Sequence, residues 1–326
     1  MTSTAVGNGS SVADGFWRDP RVVLFSVYLL EGVAMAAVNA PVALAVFFHD
    51  ALRHDKVYLI IGFLALADTL NGLCYVAAGL WRVWLLLEGV ADEPRSSWDC
   101  MATAHNLLWT YADSAAAIML LVVSVDRFLC VANSFRYITL QSRYAFRLCG
   151  AANAWAMAIQ LMGYVNSWIE SERGNVYQRL CFTASATGAL TELVYSANRV
   201  ACSAAAVLVY ALLTAVQLAR GRQRSPRTAF SAQLRRQSTF TASLGISCLF
   251  TLLLNVLPTA VVLATNWLGL AALRVGGVRV QSVCWLLVNV NPLLNTAIYL
   301  RRHVEMRIAV AALPRLKRLP PDTALW

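Results

Sequence analysis

Apolar residues occur along this chain in seven long segments separated by short polar gaps. The segments cover residues 22–48, 57–84, 101–131, 146–168, 187–219, 239–265 and 280–300. A helix needs about 20 mostly apolar residues to cross the hydrocarbon core of a bilayer. The pattern therefore predicts seven membrane-spanning helices, of which the fifth is interrupted by Glu192 and Arg199.

A short stretch after the seventh segment, residues 301–313, mixes apolar and basic positions. Val304, Ile308 and Leu313 lie near one helical face, with arginines beside them. Such a helix is suited to the headgroup layer of an anionic leaflet. We predict an all-α membrane protein: a seven-transmembrane helix bundle with a short C-terminal amphipathic helix. Its expected regions are 1–21 outside the membrane, 22–300 in the bundle, and 301–326 as amphipathic helix and tail.

Composition agrees with a membrane protein. The chain is 59% hydrophobic and 13% charged, with a mean hydropathy of +0.57, whereas soluble domains are roughly 45–50% apolar and 25% charged. The net charge of +10 comes from residues in the gaps, so no nucleic-acid partner is expected. The eight Cys lack metal-site spacing and the four His are dispersed. We therefore expect no metal site, no cofactor and, without a nucleophile–base pair, no enzyme.

The distribution of basic residues predicts the orientation. Most of the 27 Lys and Arg residues lie in one set of gaps together with the C-terminal tail. Because cytoplasmic loops carry the excess of Lys and Arg, the C-terminus is expected in the cytoplasm. Seven spans then place the N-terminus outside a plasma membrane, where Asn8, in an Asn-Gly-Ser sequon, would be glycosylated.

Two charged residues lie deep within predicted spans, where charge is costly and usually functional. Asp113 lies 14 residues before Arg127, which is about 21 Å along a helix. Arg199 lies in the outer half of the fifth span. The two side chains would form an ion pair that a ligand splits, bind opposite ends of a polar ligand, or form a structural pair without ligand contact.

Other polar and proline positions form an ordered series along the spans. In sequence order they are Asn39, Leu66-Ala67-Asp68, Asp126-Arg127-Phe128, Trp155, Pro258, and Asn291-Pro292 followed by Asn295 and Tyr299. Over roughly residues 25–310 this series resembles the rhodopsin-like (class A) G-protein-coupled receptors. Where the chain departs from the family pattern, it resembles a divergent invertebrate receptor of the nematode chemoreceptor kind.

The departures lie mainly in helices five to seven. Asn295 and Tyr299 fit the family's Asn-Pro-x-x-Tyr pattern if Thr296 replaces the proline. The alternative register, beginning at Asn291, leaves the tyrosine missing. Helix six has Asn255 where the family's Cys-Trp-x-Pro begins, so the aromatic residue of that motif is absent.

The resemblance implies a receptor that transmits an extracellular ligand signal to a cytoplasmic heterotrimeric G protein, with membrane lipid around it. It assigns coupling and activation to Asp126, Arg127, Tyr210, Asn295 and Tyr299. It implies a core polar network, with a possible sodium ion, at Asn39, Asp68, Asn291 and Asn295, and a disulfide between Cys100 and Cys181. Candidates for the ligand pocket are Trp109, Asp113, Arg199, Asn255 and Trp285.

Some ligands and functions fit poorly. Trp109 stands where amine receptors carry an Asp, and no span contains the Lys that a retinal-binding opsin needs. A multi-pass transporter or channel is the alternative function, although the chain shows no internal repeat of the kind that transporters often contain. Cys100 is two residues further from Arg127 than is usual in the family, which predicts a small insertion.

Overall fold

The structure of the chain, a computed structural model, describes residues 19–222, 249–270, 273–275 and 278–316. Its elements follow the chain in this order: α1 Pro20–Phe48, α2 Asp50–Arg53, α3 Lys56–Leu87, β1 Pro94–Ser96, α4 Ser97–Met101, α5 Asn106–Ala132, α6 Ser134–Thr139, α7 Ser142–Glu172, β2 Val176–Gln178, α8 Thr183–Arg222, a π-helical turn Leu252–Val256, α9 Leu257–Trp267, β3 Arg274–Val275, β4 Val278–Arg279, α10 Val280–Arg302 and α11 Val304–Leu316.

Every predicted span corresponds to a helix. In the described part of the chain, α1, α3, α5, α7, α8 and α10 are long and apolar enough to cross a membrane, and a shorter apolar helix covers Leu249–Thr265. The predicted sixth span begins at residue 239, outside the described residues, so only its second part is seen. The predicted all-α membrane fold is confirmed.

The third span begins later than the sequence predicts. The apolar segment starts at residue 101, but α5 starts at Asn106, and Cys100 lies in the separate helix α4. The hydroxyl of Ser96 caps α4 by accepting the Asp99 N–H at 3.1 Å. Residues 102–105, which connect α4 to α5, therefore make up part of the spacing between Cys100 and Arg127.

Helices α1 and α3 approach so closely that glycine is required at their contact. A Cβ atom added to Gly32 would lie 2.6 Å from the carbonyl oxygen of Gly72 and 2.7 Å from the backbone nitrogen of Val76. Small residues allow such close approach between membrane helices. This contact holds α3, and with it Asp68, against the first helix.

The π-helical turn has a local cause in Pro258. Proline lacks an N–H, and its ring clashes with the carbonyl four residues earlier, here Leu254. The backbone widens over Leu252–Val256 just before this proline. Asn255 lies in the widened turn and is buried, so the turn determines where its amide is placed.

A disulfide fastens the loop between α7 and α8 to the bundle. Cys100 and Cys181 are bonded, which confirms the expected pair, and strands β1 and β2 pair antiparallel beside them. Buried Arg82 of α3 donates from Nε to the Leu180 carbonyl at 3.0 Å and from Nη2 to the Cys181 carbonyl at 3.3 Å. Asn106 donates to the same Cys181 oxygen at 3.1 Å.

The amphipathic helix α11 follows the last membrane helix, as predicted, but begins at Val304 rather than at 301. Met306 and Ala309 are buried in the core, while Val304 and Ile308 are exposed. The Tyr58 hydroxyl of α3 donates to Glu305 at 2.8 Å. The helix is thus tied to the bundle by one face and presents apolar side chains on another.

Candidate functional site

A buried ion pair joins α5 to α8. The Arg199 guanidinium donates to Asp113, and the two residues are only 4% and 3% exposed. The Tyr195 hydroxyl donates to the same carboxylate oxygen, and the Asn71 amide donates to the other oxygen at 3.4 Å. Both carboxylate oxygens therefore have donors, as a buried charge requires.

Arg199 also contacts the sixth and seventh membrane helices. Its Nε donates to the Asn255 side-chain oxygen at 3.3 Å, and its guanidinium lies 5.2 Å from the centre of the Trp285 ring. Four of the five predicted ligand-pocket residues thus meet at one place. Sequence reasoning missed Tyr195, although a tyrosine four residues before Arg199 lies on the same helix face.

Trp109, the fifth predicted pocket residue, belongs to a separate aromatic cluster. Its ring centre is 4.4 Å from that of Tyr75 and 6.2 Å from that of His105. It does not line the cavity beside the ion pair. Trp109 instead packs beneath the loop between α7 and α8, where Arg82 lies 6.0 Å from its ring.

A cavity of about 20 Å³ lies next to the ion pair. Its polar lining comes from α3, α5, α8, the π-helical turn and α10: Asp68, Asn71, Asp113, Arg199, Asn255, Asn289, Asn291 and Asn295. This volume has room for roughly one water molecule. Asp68, Asn291 and Asn295, which the resemblance groups together, do share this cavity.

Two kinds of oxygen acceptor lie at the cavity. The carboxylate of Asp68 lines it and is 3% exposed, and the buried side-chain oxygen of Asn71 has no hydrogen-bond partner in the described part of the chain. Oxygen acceptors beside so small a space suit a water molecule or a small hard cation. The residues present therefore fit the sodium ion that the resemblance implies.

Asn39 lies outside this cavity and binds the seventh membrane helix directly. Thr296, which stands where the family has proline, donates its hydroxyl to the Asn39 side-chain oxygen. The Asn39 amide donates to the Met35 carbonyl at 3.0 Å. The expected four-residue network is thus divided between the cavity and a neighbouring Asn39–Thr296 contact.

A second charged cluster closes the opposite end of α5. Arg127 donates to the adjacent Asp126, and the Tyr137 hydroxyl lies 3.1 Å from both Asp126 oxygens and from Arg127 Nη2. Asp126 is 1% exposed and Arg127 is 9% exposed. The guanidinium is therefore held inside the bundle by a carboxylate and a phenol.

Tyr137 lies on the short helix α6, and Lys56 fixes that helix in place. The Lys56 ammonium donates to the carbonyls of Tyr137 and Leu140, the latter at 2.9 Å, and lies 4.1 Å from the centre of the Tyr137 ring. Burial raises the pKa of Tyr137 above its usual value, so the phenol stays protonated and donates to Asp126. Sequence reasoning missed Tyr137 because a lone tyrosine in a loop carries no periodic signal.

The remaining family positions are spread over the bundle. Tyr210 and Tyr299 are buried in the same apolar cluster. Trp155 is 58% exposed, and its indole donates to Asn198 at 3.1 Å, so it lies on the outer surface. The predicted glycosylation site Asn8 falls outside the described residues. Among the residues that are described, no group of His, Cys, Asp and Glu could hold a metal ion.

The helices and the polar core define the class of the molecule: an all-α membrane protein with six membrane-length apolar helices and a shorter apolar one in the described part of the chain. The family model described as serpentine type 7TM GPCR chemoreceptor Srsx matches residues 36–294, and the chain belongs to this family. The predicted chemoreceptor-like receptor of the G-protein-coupled type is thereby confirmed, in a family of receptors rather than enzymes. No curated protein matches the sequence.

Proposed function

We propose that the chain is a plasma-membrane chemoreceptor that transmits the binding of an extracellular ligand to a cytoplasmic heterotrimeric G protein. Residues 1–21 would lie outside the cell, and residues 301–326 would form the cytoplasmic helix and tail. The observation that carries this proposal is the pair of closed charged clusters on α5, around Asp113 and Asp126. Thirteen residues of one helix, about 20 Å, connect them.

The outer cluster is suited to a small polar ligand. Asp113 and Arg199 are buried and mutually paired, so a ligand that separates them must replace the lost charge interaction with its own groups. A ligand carrying a cationic and an anionic group meets this requirement at both residues. The Trp285 ring beside Arg199 would cover the apolar part of such a molecule.

The central cavity lies between the two clusters. Movement of α8 or α10 on ligand binding would change the space around Asp68, Asn291 and Asn295, which line it. A sodium ion, when bound, would supply positive charge to the Asp68 carboxylate and favour the closed packing. Two packings with different ligand affinity are what coupling between distant sites requires.

The inner cluster would deliver the signal. In the closed packing Arg127 is occupied by Asp126 and Tyr137. Separation of α6 from α5 would free the guanidinium, whose planar fork of donors is suited to backbone carbonyls of a G protein. Tyr210, Asn295 and Tyr299 would repack as the helices move.

Ligand-dependent nucleotide exchange tests the proposal. Membranes that contain the receptor and a co-expressed heterotrimeric G protein would be screened with small zwitterions, carboxylates and amines. We expect at least one compound to accelerate GTP binding in these membranes, and expect the Arg127→Ala variant to abolish that response at equal surface expression. Concentrative uptake of a compound without any exchange would instead identify a transporter.

A further inference from the structure

A surface groove lies where α6 meets the beginning of α7, and none of its lining residues belongs to either charged cluster. Its volume is about 540 Å³, and it is lined by Thr139, Leu140, Gln141, Arg143, Tyr144, Arg147, Leu148 and Ala151. A water molecule occupies about 30 Å³ of the liquid, so the groove has room for a sizeable organic group.

Two arginines give the groove its charge. Arg143 and Arg147 are one helical turn apart and therefore neighbours on one face of α7, and both side chains are exposed. Neither forms an ion pair with any acidic residue in the described ranges. Like charges at this spacing repel each other, and a bound anion would relieve the repulsion.

The adjacent backbone adds to this positive potential. Gln141, at the N-cap of α7, makes no side-chain hydrogen bond to the first turn of the helix. The first N–H groups of a helix lack intrahelical partners and favour anions. The two arginines and the uncapped turn thus act on the same region.

The other walls of the groove are apolar. Leu140, Leu148 and Ala151 line it, and the neighbouring Phe146 is 52% exposed, as expected for a surface in contact with lipid. A soluble anion would satisfy the arginines but leave this apolar surface uncovered. An amphipathic anion with a hydrocarbon chain would pair with the arginines and also cover the apolar walls.

We propose that this groove binds an anionic phospholipid of the cytoplasmic leaflet. The headgroup phosphate would accept donors from Arg143 and Arg147, and the beginning of an acyl chain would cover Leu148 and Ala151. Arginine suits phosphate because its fork donates two parallel hydrogen bonds. The lipid would also contact Leu140, whose carbonyl accepts from Lys56, and would thereby stabilise α6.

Lipid retention by the full-length receptor tests this assignment. The receptor would be reconstituted in nanodiscs of phosphatidylcholine with or without phosphatidylglycerol, and retained lipid would be measured by native mass spectrometry. We expect selective retention of phosphatidylglycerol. Because each basic residue near a membrane surface contributes to anionic-lipid binding, the Arg143→Gln/Arg147→Gln variant should retain it about 30-fold more weakly.

The matched control is Arg136→Gln/Arg301→Gln, which removes two exposed arginines that do not line the groove. It should retain phosphatidylglycerol like the wild type. Equal loss in both double variants would show that only the general surface charge matters and would overturn the proposal.

Two further measurements distinguish binding of the lipid headgroup from binding of the acyl chain. Ala151→Phe keeps every charge but fills the apolar wall, and it should also weaken retention. Glycerol 3-phosphate should not displace the lipid at equal concentration. Unchanged retention in Ala151→Phe, or full displacement by glycerol 3-phosphate, would contradict a lipid site. Because nanodiscs expose both faces, the outcome does not depend on the proposed signalling function.

Discussion

Asp113 and Arg199 are buried together at the centre of the bundle, and each compensates the charge of the other. Removing one partner of such a pair leaves an uncompensated buried charge and typically costs about 3–5 kcal/mol. We therefore expect Asp113→Asn and Arg199→Gln each to lower the thermal unfolding midpoint of the purified receptor strongly. The double variant should lose less than the sum of the two single losses.

If a ligand contacts the Asp113–Arg199 pair, agonist potency provides a second measurement on the same variants. At matched surface expression, each single variant should shift the potency of an agonist found by the exchange screen. Additive losses of stability together with unchanged agonist potency would show that the two side chains act independently and lie outside the ligand site.

His105 should make the end of the bundle beside the Cys100–Cys181 disulfide sensitive to acid. The residue is 1% exposed, its Nε2 lies 3.2 Å from the Cys181 carbonyl oxygen, and burial, aided by the nearby Arg82 charge, lowers its pKa from 6.5 to about 3. Between these two values the unfolded chain binds a proton that the folded chain does not. Stability should therefore fall as the pH drops below about 6.5, by at most about 1.4 kcal/mol per pH unit.

Thermal unfolding of the wild type and of His105→Gln, measured from neutral pH down to about pH 5, isolates this contribution. The wild type should lose more stability than the variant over the range. Parallel losses in the two proteins would assign the acid sensitivity to other groups.

At the scale of elements, the contact between α1 and α3 depends on the absence of a side chain. A Cβ atom at Gly32 would meet backbone atoms of Gly72 and Val76, which do not rotate away as a side chain does. Gly32→Ala should therefore force the helices apart and cost about 1–3 kcal/mol. Unfolding of the purified receptor, by heat or denaturant, provides the measurement.

Gly150 offers the matched control, since a Cβ atom there would have no neighbour within 4 Å. Gly150→Ala should be neutral or stabilising by up to about 1 kcal/mol, because alanine favours a helix more than glycine does. An equal effect of the two substitutions would mean that the α1–α3 contact tolerates separation.

The helices themselves were predictable because a membrane-spanning segment must be apolar along its whole length. The positions at which the helices are interrupted were not predictable. The predicted third span starts at Met101, but the chain forms α4 there and restarts as α5 at Asn106, next to the disulfide that holds Cys100 to Cys181. Hydropathy contains no information about a covalent tie to a loop 81 residues away.

At the scale of the whole molecule, the buried polar residues were predictable for a related reason. Asp113, Arg199 and Asn255 would each be costly in contact with lipid, so all of them face the interior and meet there. Trp109 is under no such constraint, because an aromatic ring packs well in several environments, and it joined another cluster. Tyr137 contacts Asp126 only because α6 folds back under α5, a tertiary arrangement that its own sequence does not indicate.

We propose that the cluster of Asp126, Arg127 and Tyr137 keeps the receptor closed to its G protein. A hydrogen bond to a charged group contributes about 1.5–3 kcal/mol, so Tyr137→Phe should shift the balance toward the open packing. Tyr144→Phe is the matched control, because it keeps the ring that lines the lipid groove and removes a buried hydroxyl that has no hydrogen-bond partner in the described part of the chain.

Guanine-nucleotide exchange by purified heterotrimer, measured without ligand on the reconstituted receptor, reports how far the receptor is open. We expect exchange about tenfold faster with Tyr137→Phe, wild-type exchange with Tyr144→Phe, and the receptor-free rate with Tyr137→Phe/Arg127→Ala. Exchange unchanged by Tyr137→Phe, or faster exchange that persists without Arg127, would contradict the proposal.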